Sequence, residues 1–355
     1  MAKSISLKLA KEYGEKAIHI VRKFEAYDED LEIKKDERFI FIPLKEKPSN
    51  ELFNMLSNKV ENIIIEKTDF KKKNEKPKSL VQLLEGKLKP EILDELPKSI
   101  DIIGDIAVIE TSSSIDKYKK EIGEGLLKIN GNLKTVLSKA GPISTKYRVR
   151  NYEFVAGVNK TDTEHKEFSC RYFIDLEKAY FSPRLSFEHE RVASQVREGE
   201  TIVDMFSGVG PFAILMAKKN TKIKIYTIDI NSYAVQFLLK NMKLNKIKKK
   251  VTAIFGDAKD IGLRHLQKSA DRVIMNIPQE SGKFVGVACK MLKQEGGLIH
   301  YYTFMDDSSS MKGEIRRLRS LISLADRDIK DILHSKKVKN IAPYTWQIVI
   351  DAKIV

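Results

Sequence analysis

Several features that define large protein classes are scarce in this 355-residue chain. It has only two cysteines, Cys170 and Cys289, far apart in sequence, which excludes a disulfide framework and a cysteine-based metal cage. No run of about 18 apolar residues occurs, which excludes a hydrophobic membrane-spanning helix. The first residues contain no apolar signal core. We therefore expect a cytoplasmic protein without a membrane partner.

Metal-ligand patterns are also missing, whereas positive charge is abundant. The six histidines show no ligand spacing, so we predict no bound metal. The chain has 64 Lys and Arg against 49 Asp and Glu, a formal net charge of +15. A basic surface attracts polyanions, because Lys and Arg contacts to phosphate supply most non-specific nucleic-acid affinity. The charge favours a nucleic-acid partner; the alternative is a purely solubilising role for lysines that lie beside glutamates.

Changes of pattern along the chain predict four parts. Residues 1–67 alternate short helical and strand patterns, which predicts a small α+β domain. Residues 68–78 are polar and contain five lysines and one proline, which predicts a flexible linker. Residues 79–175 predict a middle α+β domain in which a pair of strands turns at Gly104. Residues 176–355 alternate strands and helices, which predicts a mostly parallel sheet with helices on both faces. Strands are expected there at 201–204, 223–228, 251–255, 272–276, 297–303 and 346–352.

The stretch 203–212, Val-Asp-Met-Phe-Ser-Gly-Val-Gly-Pro-Phe, predicts a nucleotide-type loop between a strand and a helix. Gly208 and Gly210 suit a tight turn that a ligand approaches closely. Pro211 suits the first helical position, where its missing N–H is no loss. The spacing Gly208-x-Gly210-x-x-Ala213 also fits the dinucleotide fingerprint. The loop alone therefore leaves open a dinucleotide, another nucleoside cofactor or an ordinary structural corner.

Polar residues follow three further predicted strands, at the edge where ligands bind in such sheets. Asp229 follows Gly210 at about the 20-residue offset at which a carboxylate accepts ribose hydroxyls. Asp257 is placed to bond an adenine amino group, and Asn276 begins an Asn-Ile-Pro turn. Each has a structural alternative, such as capping the following helix. Because all of them fall at one edge of one sheet, they predict a ligand site together.

These motifs carry a family resemblance. Asp-x-Phe-x-Gly-x-Gly-Pro-Phe at 204–212, Asp-Ile-Asn at 229–231, Asp-Ala at 257–258 and Asn-Ile-Pro at 276–278 resemble class I S-adenosylmethionine-dependent methyltransferases. Asn-x-Pro resembles enzymes that methylate a planar base, and Gln279 in place of an aromatic residue favours a ring nitrogen over an exocyclic amine.

The resemblance narrows with segments before and within the sheet. Arg148-Val-Arg150, Ala156-Gly-x-Asn159, His165-Lys-Glu167, Tyr180 to Leu185, Glu188 to Arg191 and His300 to Thr303 resemble the archaeal and eukaryotic tRNA (guanine-N1)-methyltransferase family that modifies guanosine 37. The likeness covers residues 80–355; for residues 1–67 it rests on size and position. It implies a Rossmann-like class I methyltransferase domain with a mostly parallel seven-stranded sheet, preceded by two smaller α+β domains.

The resemblance also implies residue roles. Glu188 would be the general base that takes the guanine N1 proton. Arg148 would stabilise the charge that develops on O6, and Asn276 would orient the base edge. S-adenosylmethionine would be held by His189, Phe206, Gly208, Asp229, Ile230, Asp257, Ala258 and Asn276. The substrate base would meet Arg148, Tyr180, Arg184 and Pro278. The partner would be tRNA, its anticodon loop on the catalytic domain and its outer corner on the N-terminal domain of a monomer.

Two other functions stay open at this point. A relative in wybutosine synthesis, transferring an aminocarboxypropyl group or methylating a tricyclic base, would use the same fold and donor. An RNA-binding protein with a vestigial or dinucleotide-filled Rossmann domain is the second. Asp229, Asp257 and Asn276 argue against the vestigial alternative, because such a domain has no use for all three.

Overall fold

The structure, a computed structural model, describes residues 2–73, 77, 79–144 and 147–355, with no side-chain description for 142–144. Residues 74–76 and 78 of the predicted linker lie outside the described residues. The described chain separates into two compact units, one ending at Leu83 and the other running from Leu84 to Val355. The division falls inside a short helix that begins just after the predicted linker, and the predicted four-part scheme remains a prediction.

The first unit is an antiparallel sheet covered by two helices. The strand order is β2-β3-β1-β4. Its elements are β1 (Ala2–Ala10), α1 (Gly14–Lys23), β2 (Lys34–Lys35), β3 (Phe39–Leu44), α2 (Asn50–Ser57) and β4 (Ile64–Phe70). Alternate residues of β1 and β3, such as Leu7, Leu9 and Ile42, form the core with the apolar faces of the helices. The Ser49 side chain caps α2 by accepting the Leu52 amide at 3.2 Å.

The end of β4 corrects part of the predicted linker. The sequence pattern places residues 68–70 in the linker, but they continue the strand, and Phe70 pairs with Ala2 at the far end of β1. Phe70 is 1% exposed and packs with Leu31 and Phe41. The sequence does not predict this end of the strand, because a single buried aromatic residue among lysines gives too weak an alternation of apolar and polar residues.

The second unit begins with a small sheet and a hairpin. The sheet has the order β5-β6-β7-β8, and β9 and β10 pair antiparallel. The elements after the dividing helix, α3 (Leu80–Leu84), are α4 (Pro90–Asp94), β5 (Asp101–Ile103), β6 (Ile106–Ile109), α5 (Lys119–Ile129), β7 (Thr135–Ser144), β8 (Val149–Gly157), β9 (Asp162–Glu167) and β10 (Cys170–Asp175). The predicted strand pair at Gly104 is confirmed. A Cβ there would lie 2.1 Å from Thr163 Oγ1, so only glycine fits.

The rest of the chain forms a seven-stranded sheet between two layers of helices. The elements are α6 (Ser186–Ala193), β11 (Thr201–Asp204), α7 (Pro211–Lys219), β12 (Lys224–Asp229), α8 (Ser232–Leu244), β13 (Val251–Phe255), α9 (Ala258–His265), β14 (Arg272–Met275), α10 (Val285–Met291), β15 (Gly297–Asp306), α11 (Met311–Ser323), β16 (Ile329–Ala342) and β17 (Thr345–Ile354). The order is β13-β12-β11-β14-β15-β17-β16. The first five strands are parallel to one another, and β17 runs antiparallel to both of its neighbours, β15 and β16, which confirms the mostly parallel sheet.

Strand β16 was absent from the predicted strands, and this omission was wrong. The strand is 14 residues long, but its pairing with β17 shifts register four times. Each shift breaks the two-residue alternation that marks a half-buried strand, and most of its residues are exposed. A lysine-rich sequence without alternation therefore does not look like a strand, although β17 pairs with it from one end to the other, between the register shifts.

The sheet positions a crevice at its centre. Strand β11 lies between β12 and β14, so the connections after β11 and β14 leave the sheet in opposite directions and open a cleft at the carboxyl edge. Helices α6, α7 and α8 contribute to one core layer, and α9, α10 and α11 to the other. None of the described helices is long and apolar enough to cross a bilayer.

Candidate active site

The glycine loop after β11 is shaped by its second glycine. Gly210 has φ of 90° as the residue before α7, and a Cβ there would lie 2.3 Å from Leu238 Cδ1. Both the left-handed backbone and the close approach of α8 therefore require glycine. Gly208, also at positive φ, opens onto the cleft. Pro211 occupies the first turn of α7, as the sequence predicts.

Asp229 ties this loop to the end of the next strand. Its Oδ2 accepts the Gly208 amide at 2.7 Å, and its Oδ1 accepts the Asn231 amide at 2.8 Å. Each carboxylate oxygen has two lone pairs, so each retains acceptor capacity toward a ligand. Burial raises the pKa of Asp229, and the bonded backbone amides oppose that shift. Asn231 caps α8 through the Tyr233 amide, so the cap belongs to Asn231 while Asp229 faces the cleft.

One cleft gathers most of the predicted donor residues. Its walls include Phe206, Gly208, Asp229, Ile230, Asp257, Ala258 and Asn276 from the predicted donor set, together with Arg148 and Tyr180 from the predicted substrate set. Asp257 both lines the cleft and caps α9 through the Lys259 amide at 2.8 Å, so its two interpretations coexist. The ring of Phe284, which the sequence did not point to, packs edge-on against Phe206 with centroids 4.9 Å apart.

A second, adjoining cavity holds His189 and Pro278 and shares Arg148, Tyr180 and Asn276 with the first. His189 is buried against Phe212, and its Nδ1 lies 2.6 Å from Glu167 Oε1. Its Nε2 has no hydrogen-bond partner among the described residues. The His189 Nε2 is therefore available to hydrogen-bond a ligand on this side of the glycine loop.

Arg148 lies where the cavities meet. It immediately precedes β8 with φ of 56°, a left-handed conformation that is costly for a non-glycine residue and is concentrated at functional sites. Its guanidinium lies 5.6 Å from the ring centroid of Tyr180. Its Nε is buried without a hydrogen-bond partner in the described structure. A buried donor without a partner points to a ligand acceptor at this position.

Arg184 is placed farther away, in a third cavity. Its Nε donates to Asp101 Oδ1 at 2.6 Å, and its NH2 donates to Ser99 Oγ at 2.7 Å. The third cavity also contains Arg148 and Tyr180, so it is continuous with the base end of the site. The remaining cations at this cavity are Lys139, Arg150 and Lys339.

Glu188 is not brought to the wall of these cavities. It is 6% exposed on α6, and its carboxylate accepts Arg191 Nε at 3.0 Å, Arg191 NH2 at 2.9 Å and Tyr302 OH at 2.9 Å. The predicted base therefore lies in a buried polar network behind the second cavity. Its role as the base is untested by the geometry and remains a prediction.

Two residues that the sequence did not single out contact predicted site residues. Gln347 on β17 donates through Nε2 to Asn276 Oδ1 at 3.1 Å, and it lines the second cavity. Lys339 on β16 donates to Tyr180 OH at 3.1 Å and to Ser182 Oγ at 3.1 Å. Both residues lie on the hairpin formed by β16 and β17. The pairing of β17 with β15 brings this hairpin to the carboxyl edge of the sheet. In the sequence, Gln347 is marked only as a polar residue between Trp346 and the apolar run 348–350 of β17, and Lys339 carries no such signal.

Asp204, at the end of β11, is fully buried beside the loop. Neither carboxylate oxygen has a hydrogen-bond partner among the described residues. Burial raises the pKa of Asp204 to about 7, and the nearby Phe206 amide and the Asp229 charge modify it in opposite directions. Within the described chain, no group of three potential metal ligands comes together. One buried carboxyl group with a raised pKa therefore lies beneath the glycine loop.

Family models match three consecutive segments of the chain. Residues 7–53 match a tRNA methyltransferase 5 N-terminal domain, residues 80–161 a TYW2 N-terminal domain, and residues 163–330 a TRM5/TYW2 methyltransferase domain.

Full-length relatives agree with these models. The Methanocaldococcus jannaschii protein named tRNA (guanine(37)-N(1))-methyltransferase Trm5b is 34% identical, over 99% of this chain and 98% of its own. A solved complex of aTrm5 with tRNALeu superposes with a TM-score of 0.72 at 34% identity, covering 99% of this chain and 100% of that one. M. jannaschii TYW2 in complex with AdoMet covers 72% of this chain and 99% of its own, at 28% identity and a TM-score of 0.56. The mixed sheet, the glycine loop and the carboxyl-edge residues thus belong to a class I methyltransferase fold, and the chain is a member of the TRM5/TYW2 methyltransferase family.

Proposed function

We propose that this protein transfers the methyl group of S-adenosylmethionine to N1 of guanosine 37 in tRNA, next to the anticodon. The observation that carries the proposal is one cleft that joins Gly208 and Asp229 to Arg148 and Asn276. Similarity to a relative named for guanine-37 N1 methylation extends over 99% of the chain, whereas the TYW2 structure matches 72%.

The donor end of the cleft fits a nucleoside cofactor. Asp229 has acceptor capacity for two ribose hydroxyls, because its backbone bonds occupy one lone pair on each oxygen. Asp257 lies beside it for the adenine amino group, and Ile230 and Ala258 supply apolar walls. The glycine loop lets the ligand approach the backbone. When bound, S-adenosylmethionine supplies an electrophilic methyl group on a sulfonium.

The base end must remove a proton and accommodate negative charge. Guanine N1 carries a hydrogen, so it becomes nucleophilic when that hydrogen leaves as a proton, and the charge then spreads to O6. Arg148 offers a donor that no described residue bonds, in a partly desolvated position where its charge acts more strongly than in water. Asn276, held by Gln347, orients the base edge. Tyr180 and Pro278 shape the walls of the base pocket.

Glu188 is the proposed general base. Both of its oxygens are bound to Arg191, and Tyr302 donates to one of them. To take the N1 proton, the carboxylate must exchange one of these partners for the substrate. The base therefore works from within a charge network rather than from open solvent.

The proposed partner is tRNA. The +15 net charge and the cations around the third cavity favour the phosphates that flank an extruded base. The N-terminal unit is a separate compact body with its own core, suited to a second contact on the outer corner of the same tRNA. A monomeric, cytoplasmic enzyme remains part of this proposal.

The decisive experiment uses labelled S-adenosylmethionine and tRNA transcripts that carry guanosine or adenosine at position 37. We expect N1-methylguanosine from the guanosine transcript and no transfer to the adenosine transcript, with products identified by nucleoside mass. Transfer to adenosine 37, or a product mass that shows an aminocarboxypropyl group, would overturn the proposal.

Arg148→Ala tests the role at O6. We expect the single-turnover rate at saturating tRNA to fall about 100-fold, as when one oxyanion donor is removed. Arg150→Ala is the matched control on the same segment, because Arg150 lines the third cavity but bonds the Gly141 carbonyl. It should weaken tRNA binding and its salt dependence with little effect on the saturated rate. Equal losses in both variants would show that Arg148 only binds phosphate.

A further inference from the structure

A chain of buried charged side chains continues beyond Glu188 across one face of the sheet. Arg191 binds Glu188 on one side and Asp351 on the other, with its NH1 2.5 Å from Asp351 Oδ2. Asp351 is also 2.7 Å from His300 Nδ1. Asp351 is 1% exposed and His300 is fully buried. The guanidinium is therefore shared between two buried carboxylates, only one of which is the proposed base.

Local geometry explains why these residues meet. Glu188 and Arg191 are three positions apart on α6, so they lie on the same helix face. His300 and Asp351 are directly paired across β15 and β17. Tyr302, two residues after His300, points to the same face and reaches Glu188. Helix α6 packs over this face, and its charged side chains enter the layer between helix and sheet.

The proton on His300 is assigned by its neighbours. Its Nε2 lies 2.7 Å from Arg272 NH1, and a guanidinium can only donate. Nε2 is therefore the acceptor, and Nδ1 carries the hydrogen that is donated to Asp351. Burial lowers the pKa of His300, in keeping with a neutral ring. Burial acts to raise the pKa of Asp351, but His300 and Arg191 outweigh it and hold that pKa well below its ordinary value.

We propose that Asp351 is a positioning residue for Glu188, acting through Arg191. By taking part of the guanidinium, Asp351 fixes the orientation of Arg191 and limits how strongly Arg191 holds the Glu188 carboxylate. Without that division, the full positive charge would fall on Glu188 and favour its ionised form over its protonated form. The inference rests on the proposed role of Glu188 as the base. It assigns control of how tightly Arg191 holds that base to β17, the last strand in the chain.

The groups that face this network come from every packed element. Helix α6 contributes Glu188 and Arg191, and the turn after it contributes Gln195. Strand β15 contributes His300 and Tyr302, and strand β17 contributes Asp351. Arg272 on β14 bonds His300 and is itself paired with Glu200 at 2.8 Å. The surroundings of the Glu188 carboxylate therefore include two arginines, three other acidic or phenolic groups and one neutral histidine.

The test measures single-turnover methyl transfer against pH at saturating tRNA and S-adenosylmethionine. Asp351→Asn should move the rising limb to lower pH by about one unit and lower the plateau about three- to tenfold, because a carboxylate held more tightly is a weaker base. Arg191→Gln should move the limb the other way, to higher pH, since it removes the attracting charge. A general loss of structure in the two variants is not expected to move the rising limb of the pH profile in opposite directions.

Matched measurements separate this inference from the proposed function. Asp331→Asn makes the same charge change at an exposed site on β16 and should leave the pH profile unmoved. Glu188→Gln should abolish the rising limb; if it retains the full rate and profile, the proposed base is wrong. If Glu188→Gln is inactive but Asp351→Asn keeps the wild-type profile, the positioning role of Asp351 is wrong. If Asp351→Asn does not fold, an unmoved limb in Arg191→Gln overturns the inference equally.

Discussion

Replacing Asp204 by asparagine is expected to stabilise the second unit, and increasingly so as pH rises. The pKa of Asp204 is raised by burial to about 7 from an ordinary 3.8. The native state therefore holds a proton that the unfolded chain releases between those values, and stability falls as pH rises through this window. At 1.36 kcal/mol per unit, the penalty is about 2 kcal/mol at pH 5.5 and about 4 kcal/mol at pH 8. Asparagine has nearly the same shape and no charge, so it removes this pH-dependent cost.

The single tryptophan gives a local assay. Trp346 lies on β17 within the second unit, so its fluorescence during urea unfolding reports that unit rather than the N-terminal one. We expect the difference in unfolding free energy between Asp204→Asn and wild type to grow by about 2 kcal/mol from pH 5.5 to pH 8. Asp257→Asn is the control, because it is only half-buried and asparagine also caps a helix.

Two results would refute the reasoning. A difference that is the same at both pH values would mean that Asp204 does not titrate in this range. If Asp204→Asn is less stable than wild type at pH 8, the Asp204 carboxylate has a stabilising partner. Its ionisation would then stabilise the folded state instead of destabilising it. The control variant should show no pH-dependent change relative to wild type in either case.

Three further substitutions test the site. Gln347→Leu removes the donor to Asn276 and should lower the single-turnover rate about tenfold while S-adenosylmethionine affinity, measured by calorimetry, stays unchanged. Gly210→Ala places a Cβ 2.3 Å from a side-chain carbon of α8 at a φ of 90°, and should lower stability by about 1–3 kcal/mol in urea unfolding. Asp229→Asn loses the charged acceptor and should weaken S-adenosylmethionine binding about 10- to 100-fold; an unchanged Kd would place the ribose elsewhere.

Sequence pattern predicted the central part of the fold because local and tertiary signals agree there. Strands β11 to β15 are apolar runs followed by glycine, aspartate or asparagine, and the parallel topology brings those ends to one edge. Strand β16 and the end of β4 were missed for the opposite reason. Their pairing partners and buried faces come from distant strands, and lysines dominate their own sequences.

For the site, the glycine loop, Asp229, Asp257 and Asn276 follow from spacing, because each is fixed to the end of a strand. The roles of Arg148 and Glu188 came from resemblance, and the structure places them differently. Arg148 lies at the junction of the cavities with a donor that has no partner in the described part of the chain, while Glu188 is enclosed by Arg191 and Tyr302.

The sequence by itself determined the alternation of elements, the ligand edge and the basic character of the surface, since these depend on residue type and local period. Only the tertiary structure decided which charges share a buried layer. Residues 188 and 351 are separated by 160 or more positions in the chain, yet one guanidinium joins them because antiparallel pairing returns β17 beneath α6. Such a contact depends on the register between strands, and no local pattern encodes it.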